Sequence, residues 1–168
     1  MGDRDAEFTA YVVQRRPQLY RLAFLLCSDA HRAEDIVQVA LAKLYGAWDR
    51  ASRMDGIDAY TRRIVVNSHL DDTRRPWRRE RTKEVEQLDG PAAVPLGIEE
   101  TDALWSALRG LPEGQRRVVV LRHYWGLSVE ETARDLGIST GTVKSQSSLA
   151  IHHLRRVLDP APSAGERR

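Results

Sequence analysis

Apolar residues recur at three- and four-residue spacing over most of this chain, and the clearest run lies between Leu127 and Leu154. Ser128 stands where a helix N-cap belongs, and Glu131 follows three residues later as the carboxylate of a capping box. Val129, Ala133 and Leu136 then share one helical face. Gly137 comes where a helix end needs a residue that tolerates positive φ. Ile138 fills the corner, Ser139 caps a second helix, and Val143, Ser147, Ala150, Leu154 and Val157 line the inward side of that helix. Two helices joined by so short a glycine turn must cross steeply, and the pattern predicts a helix-turn-helix.

The rest of the chain also reads as helix. Asp5 to Cys27 predicts one or two helices: Phe8, Val12 and Val13 recur at helical spacing, Pro17 interrupts, and Leu19, Leu22, Ala23 and Leu26 resume the stripe. Asp29 or Ser28 caps a segment from Ala30 to Trp48, where Ala33, Ile36, Val37, Ala40, Leu41, Leu44 and Trp48 form a continuous face. Glu34, Asp35, Gln38 and Lys43 lie off that stripe or beside it. Arg50 to Gly56 has no period and predicts a loop. Asp58 caps a helix from Ala59 to about Arg75, and Pro76 stops it. Leu104, Trp105, Leu108 and Leu111 form a further stripe closed by Gly110 and Pro112, and Gln115 to Tyr124 is helical up to the helix-turn-helix.

Composition changes this picture at one place. The net charge is only +2, but residues 62–83 hold eight basic and three acidic side chains, and residues 84–102 hold six acidic and no basic ones. The acidic stretch, EVEQLDGPAAVPLGIEE, carries two prolines and two glycines and shows no stripe, so it reads as a flexible linker. The expected fold class is therefore all-α, with two small helical domains joined by that linker and the helix-turn-helix in the second. The boundaries are 1–83, linker 84–101, 102–159, and a Pro-rich disordered tail at 160–168.

Several function classes are excluded by what the sequence lacks. Cys27 is the one cysteine, in an apolar run, and reads as a buried small hydrophobe and not as a thiol nucleophile or zinc ligand. His31, His69, His123, His152 and His153 show no metal-ligand spacing, and no Gly-rich phosphate loop is present. No cofactor, metal or catalytic residue is expected. No run reaches the roughly 18–20 apolar residues of a membrane span, and the N-terminus lacks a secretory pattern, so a cytoplasmic protein is expected.

The candidate chemistry is nucleic-acid binding. The second helix of the helix-turn-helix leaves Lys144, Ser145, Ser148, Leu149, His152, Arg155 and Arg156 facing away from its partner helix, a set suited to base edges and phosphates in a major groove. The segment PWRRERTK, with Trp77, suits a nucleic-acid backbone or a helix end folded onto the core. A stand-alone repressor or activator would use the same helix-turn-helix, but it would need a dimer to reach two half-sites and would leave the first domain unexplained. A polymerase-binding regulator without promoter specificity is the other alternative.

Taken together, AEDIVQVALAKLY, AYTRRIVVNSHLDDTRR, a variable connector and LPEGQRRVVVLRHYWGLSVEETARDLGISTGTVKS resemble a bacterial RNA polymerase sigma factor. The two-domain size is similar to the extracytoplasmic-function group, and the VKSQ ending to its actinobacterial sigma-E-like subgroup. The resemblance spans nearly the whole chain apart from the connector and the ends.

That resemblance implies roles residue by residue. Glu34, Asp35, Gln38 and Lys43 would grip the clamp coiled coil of the largest subunit of core RNA polymerase. Asn67 would read a flipped-out base of the −10 element beside a pocket formed by the loop from Ser52 to Asp58. Arg62, Arg63, Arg74 and Arg75 would hold the separated strands. The second domain would bind the flap of the other large subunit and read the −35 element through Lys144, Ser145, Ser148, Leu149, His152 and Arg155. Many family members carry Arg where this chain has Gln146 and Leu149, so base preference does not transfer from them. A monomer when free, able to be sequestered by an anti-sigma factor, is the implied state in solution.

Overall fold

In the computed structural model the chain divides into two compact units, Met1–Pro95 and Leu96–Arg168. The structure describes residues 2–75 and 102–160. The basic segment at 76–83, the acidic linker at 84–101 and the tail beyond residue 160 lie outside the described residues. Every element among the described residues is helical, and each unit is taken by itself.

Unit 1 is built from α1 (Asp3–Cys27), α2 (Ala30–Gly46), the single turn α3 (Trp48–Ala51) and α4 (Ile57–Thr73). The first helix runs 25 residues without a break, Pro17 included. Pro17 is exposed, so the carbonyl it deprives of a hydrogen bond faces water, while every residue from Leu22 to Cys27 is buried and holds the helix in place. Ser28 ends α1 in the left-handed region at φ 60° and donates its N–H to the Phe24 carbonyl at 2.8 Å. Asp29 then caps α2 by accepting from the Arg32 N–H at 3.0 Å. Between them these two adjacent residues turn the chain back on itself.

Tertiary packing shifts two boundaries from their sequence expectation. Trp48 does not continue α2: Ala47 breaks the helix, and Trp48 begins α3. Its indole is buried with Leu44 and Ala51 among Phe8, Tyr11, Leu41, Ile57, Tyr60 and Ile64. Phe8 meets that indole edge-on at 5.2 Å between ring centroids, the geometry that aromatic quadrupoles favour. Asp58 is not the cap of α4 either. Gly56 precedes the helix, and the Asp58 carboxylate accepts from the Tyr11 hydroxyl at 3.0 Å and pairs with Arg15 at 2.8 Å. Asp58 thus joins α4 to α1.

One buried ion pair ties the start of α2 to the end of α4. Arg32 donates from Nε at 3.1 Å and from Nη2 at 3.0 Å to one oxygen of Asp72, with the side chains only 14% and 11% exposed. In so sheltered a position, each charge needs the other.

Unit 2 consists of α5 (Asp102–Arg109), α6 (Glu113–Val119), a π turn over Val120–Tyr124, α7 (Val129–Leu136) and α8 (Thr140–Leu158). The helix expected from Gln115 to Tyr124 begins two residues earlier, directly after Pro112, and its last turn widens so that the Trp125 N–H reaches the Val120 carbonyl at 2.9 Å. Gly126, at φ 77°, and an Arg122 guanidinium donating to the Leu127 carbonyl then lead into α7. The capping box forms as its spacing predicts: Glu131 N–H to Ser128 Oγ is 3.0 Å, and Ser128 N–H to Glu131 Oε2 is 2.8 Å. Gly137 closes α7 at φ 65°, the Ile138 N–H returns to the Ala133 carbonyl at 3.1 Å, and Ser139 Oγ accepts from the Thr142 N–H to start α8.

Candidate nucleic-acid interface

The two sides of α8 differ in chemistry. Towards the body of unit 2, Val143 and Ala150 are wholly buried. The Gln146 amide lies beside Gly114, where an added methyl would meet it at ordinary contact distance, about 3.9 Å, and Ser147 Oγ meets His123 Nε2 at 3.4 Å. Away from the body, Lys144, Ser145, Ser148, Leu149, His152, Arg155 and Arg156 are all exposed. Ser145 Oγ donates to the Gly141 carbonyl at 3.0 Å, which leaves its lone pairs outward. None of the 19 residues of α8 is acidic, although Asp159 follows as its C-cap behind Arg155 and Arg156, so the face itself carries only neutral and cationic side chains.

Val157 departs from its expected place. Its helical phase is inward, as the stripe predicts, yet it is 52% exposed, because the last turn of α8 extends past the described helices it would pack on. Gln146 belongs with the inward residues, half-buried beside Gly114, a position that periodicity alone leaves open.

In unit 1 the outward face of α4 carries Arg63, Asn67, Asp71 and Arg74, spaced by four, four and three residues, with Arg75 following; all are exposed. Arg62 differs from these in exposure. It is 9% exposed, on the inward side of the helical step that puts Arg63 outside. Asp71 interrupts the cationic row, but Lys43 of α2 pairs with it at 3.7 Å.

The loop from Ser52 to Gly56 is exposed, Met54 included. A cavity of about 440 Å³ opens beside its first residues, lined by Asp3, Arg4, Glu7, Trp48, Asp49, Ser52 and Arg53. Asn67 is not among its lining residues, so this cavity is distinct from a pocket built around that amide.

The polar positions of α2 divide. Glu34 is half-buried and held by Arg16 at 2.5 Å, and Lys43 bridges to α4, while Asp35 and Gln38 face outward with Val39 and Ala42 between and beside them. Val39, 48% exposed, and Ala42 were not singled out from sequence. The available signal is that Val39 is an apolar residue lying off the Ala33–Leu44 stripe.

A marked electrostatic perturbation lies outside these faces. Burial pushes the Tyr11 hydroxyl up to about 12, with the Asp58 carboxylate adding to the shift and the hydrogen bond to Thr61 opposing it. Among the described residues no cluster of His, Cys, Asp and Glu is placed to hold a metal ion, and no helix is long and apolar enough to cross a membrane.

Comparison with known proteins accounts for both units. Residues 11–79 match the family model of Sigma-70 region 2, and residues 101–154 match that of Sigma-70, region 4. The RNA polymerase sigma-E factor of Streptomyces avermitilis is 40% identical over 157 residues, covering 91% of this chain and 86% of that protein. The ECF RNA polymerase sigma factor SigM of Mycobacterium tuberculosis strain H37Rv is 34% identical over 157 residues, covering 94% and 79%. Among solved structures, the sigma factor RpoE in complex with the anti-sigma factor NepR from Bartonella quintana superposes with a TM-score of 0.70 at 27% identity, over 93% of this chain and 99% of that one. CnrH in complex with the cytosolic domain of CnrY shares the fold, with a TM-score of 0.59 at 23% identity over 94% and 91%. The capped helix-turn-helix, the helical unit that precedes it and these matches lead to one conclusion: the chain belongs to the extracytoplasmic-function group of RNA polymerase sigma factors, non-enzymatic subunits that bind core polymerase and promoter DNA to start transcription.

Proposed function

We propose that the two units divide promoter recognition between them, α8 reading the −35 element as duplex and α4 reading the −10 element as separated strands. The observation that carries this reading is the outward face of α8: Lys144, Ser145, Ser148, Leu149, His152 and Arg155 on a helix without an acidic residue, with its N-terminal turn open to phosphate. On α4, the exposed Asn67 offers a donor and an acceptor on one amide to a flipped base, and Arg63, Arg74 and Arg75 supply backbone cations. Arg62, expected from sequence among these cations, lies on the inward side of α4 and backs the row.

Core polymerase then meets α2 on the strip of Asp35, Gln38, Val39 and Ala42, against the clamp coiled coil of the largest subunit. Glu34 and Lys43, already paired within unit 1, flank the strip and fix its edges. Unit 2 docks on the flap of the other large subunit. Melting needs no catalytic group: unpairing costs a few kcal/mol per flipped base, which the base pocket and the strand contacts return. The protein acts in the cytoplasm with core polymerase. Sequestration by an anti-sigma factor is supported by the similar sigma factor RpoE, whose solved structure is a complex with the anti-sigma factor NepR.

A photo-crosslinking residue placed in turn at 67 and at 148 tests the division in the assembled holoenzyme. Position 67 should cross-link to single-stranded −10 DNA and position 148 to −35 duplex. Exchange of the two targets, or cross-links from neither, contradicts it.

A further inference from the structure

We propose that Leu149 makes α8 select a thymine, through its C5 methyl, at one position of the −35 element. The inference rests on the reading that α8 enters that duplex, and it adds what the helix asks of the bases there. Leu149 is 54% exposed and shares its face with Ser145 and His152, one turn away on either side, and with the adjacent Ser148. The remaining side chains of this stretch are already engaged or turned away: Gln146 lies beside Gly114, Ser147 meets His123, and Val143 and Ala150 are buried. Between Lys144 and Arg155 the outward face therefore presents hydroxyls, one imidazole and one isobutyl group. It holds no guanidinium that could fork onto a guanine.

An isobutyl group has no donor and no acceptor. Of the groups that base pairs expose in the major groove, the thymine methyl is the apolar one. Against guanine, adenine or cytosine edges, Leu149 displaces water from polar atoms and returns no hydrogen bond, which is a penalty and not merely a missing gain. Leu149 thus both rewards a methyl and disfavours its absence. Four residues separate it from Ser145, about 6 Å at 1.5 Å per residue.

A protein partner is the competing explanation for an exposed leucine. The surface around Leu149 argues against it, since its helical neighbours at three and four residues are Ser145, Gln146, His152 and His153, all polar. A docking patch for protein needs contiguous apolar area, which this position lacks.

The test uses holoenzyme assembled from core polymerase and the full chain, on a promoter selected by it from a randomised library. Each −35 thymine is replaced in turn by deoxyuracil, which removes the methyl and nothing else. One replacement should lower affinity about fourfold, the worth of one buried methyl. Leu149→Ala should bind the thymine and uracil forms equally, while Lys144→Ala should weaken both and keep their ratio. A flat uracil scan, a selected −35 element without thymine, or a ratio that survives Leu149→Ala overturns the inference. Equal weakening of core binding by Leu149→Ala, whatever the base, assigns Leu149 to a protein contact and overturns it as well. If affinity is indifferent to every base of the −35 region, the underlying assignment of α8 fails first, and that result is distinct from a flat uracil scan on an otherwise sequence-dependent site.

Discussion

Replacing Asp72 by alanine should unfold unit 1 selectively. Its carboxylate accepts two hydrogen bonds from Arg32, at 3.1 and 3.0 Å, across 40 residues of sequence. With the partners 11% and 14% exposed, water reaches them too little to stand in for either. Removing the acid strands a buried guanidinium, a loss of about 3–5 kcal/mol. A helical unit of this size has roughly 4–11 kcal/mol in all, so the variant should lose a large part of its stability. Urea unfolding of the full chain, followed by far-UV circular dichroism and by the fluorescence of the buried Trp48, gives the measurement. The unit 1 transition should move to lower urea, its unfolding equilibrium constant rising about 10²–10⁴-fold, while unit 2 keeps its transition. The double variant Arg32→Met, Asp72→Leu should recover most of the loss, because two apolar side chains of similar volume strand no charge. A cost below about 1 kcal/mol for Asp72→Ala would refute the reasoning, since it would mean the pair behaves as a solvated surface bridge.

Three further outcomes follow from the same structure. Lys144→Ala should weaken −35 binding by the holoenzyme and reduce the slope of log K against log salt by about 0.9, the signature of one lost phosphate contact; an unchanged slope takes Lys144 off phosphate. Asn67→Ala should relax the −10 preference at a single position by about 1–3 kcal/mol, read from open-complex formation on the four base variants; identical discrimination before and after removes Asn67 from base reading. Because Tyr11 is held neutral to about 12, above the ordinary tyrosine value near 10, its contribution is complete below about pH 10 and is lost as pH rises towards 12. Tyr11→Phe should therefore cost roughly 0.5–1.5 kcal/mol at neutral pH through its lost hydrogen bonds, and the gap to wild type should close in that alkaline window; parallel urea midpoints from pH 8 to 12 speak against it.

Local chemistry was legible in the sequence, and long-range placement was not. The caps of α7 and α8 could be read because Ser128, Glu131, Gly137 and Ser139 act on backbone groups within three or four residues. The polar outward set of α8 could be read for the same reason, since helical phase needs only spacing. The Arg32–Asp72 pair and the Tyr11–Asp58 bond join residues 40 and 47 positions apart, which no local pattern encodes. Arg62 and Arg63 are chemically alike and adjacent, and only the packing of α4 on α1 and α2 decides which of them is buried. Pro17 illustrates the reverse case: its local preference favours a break, but the buried run from Leu22 to Cys27 and the exposed site of the ring let the helix continue. Val39 was passed over because a single off-stripe valine is ordinary on a helix surface, and it gains meaning only beside Asp35, Gln38 and Ala42.

The central claim is tested most directly by run-off transcription from a randomised promoter library, using core polymerase with and without this protein. The account predicts transcripts that depend on the protein and an enriched pair of elements, one near −35 and one near −10, at a fixed spacing. Transcripts that depend on the protein but start from promoters with no enriched −35 element would contradict the role given to α8, and protein-independent initiation would contradict the division of labour as a whole.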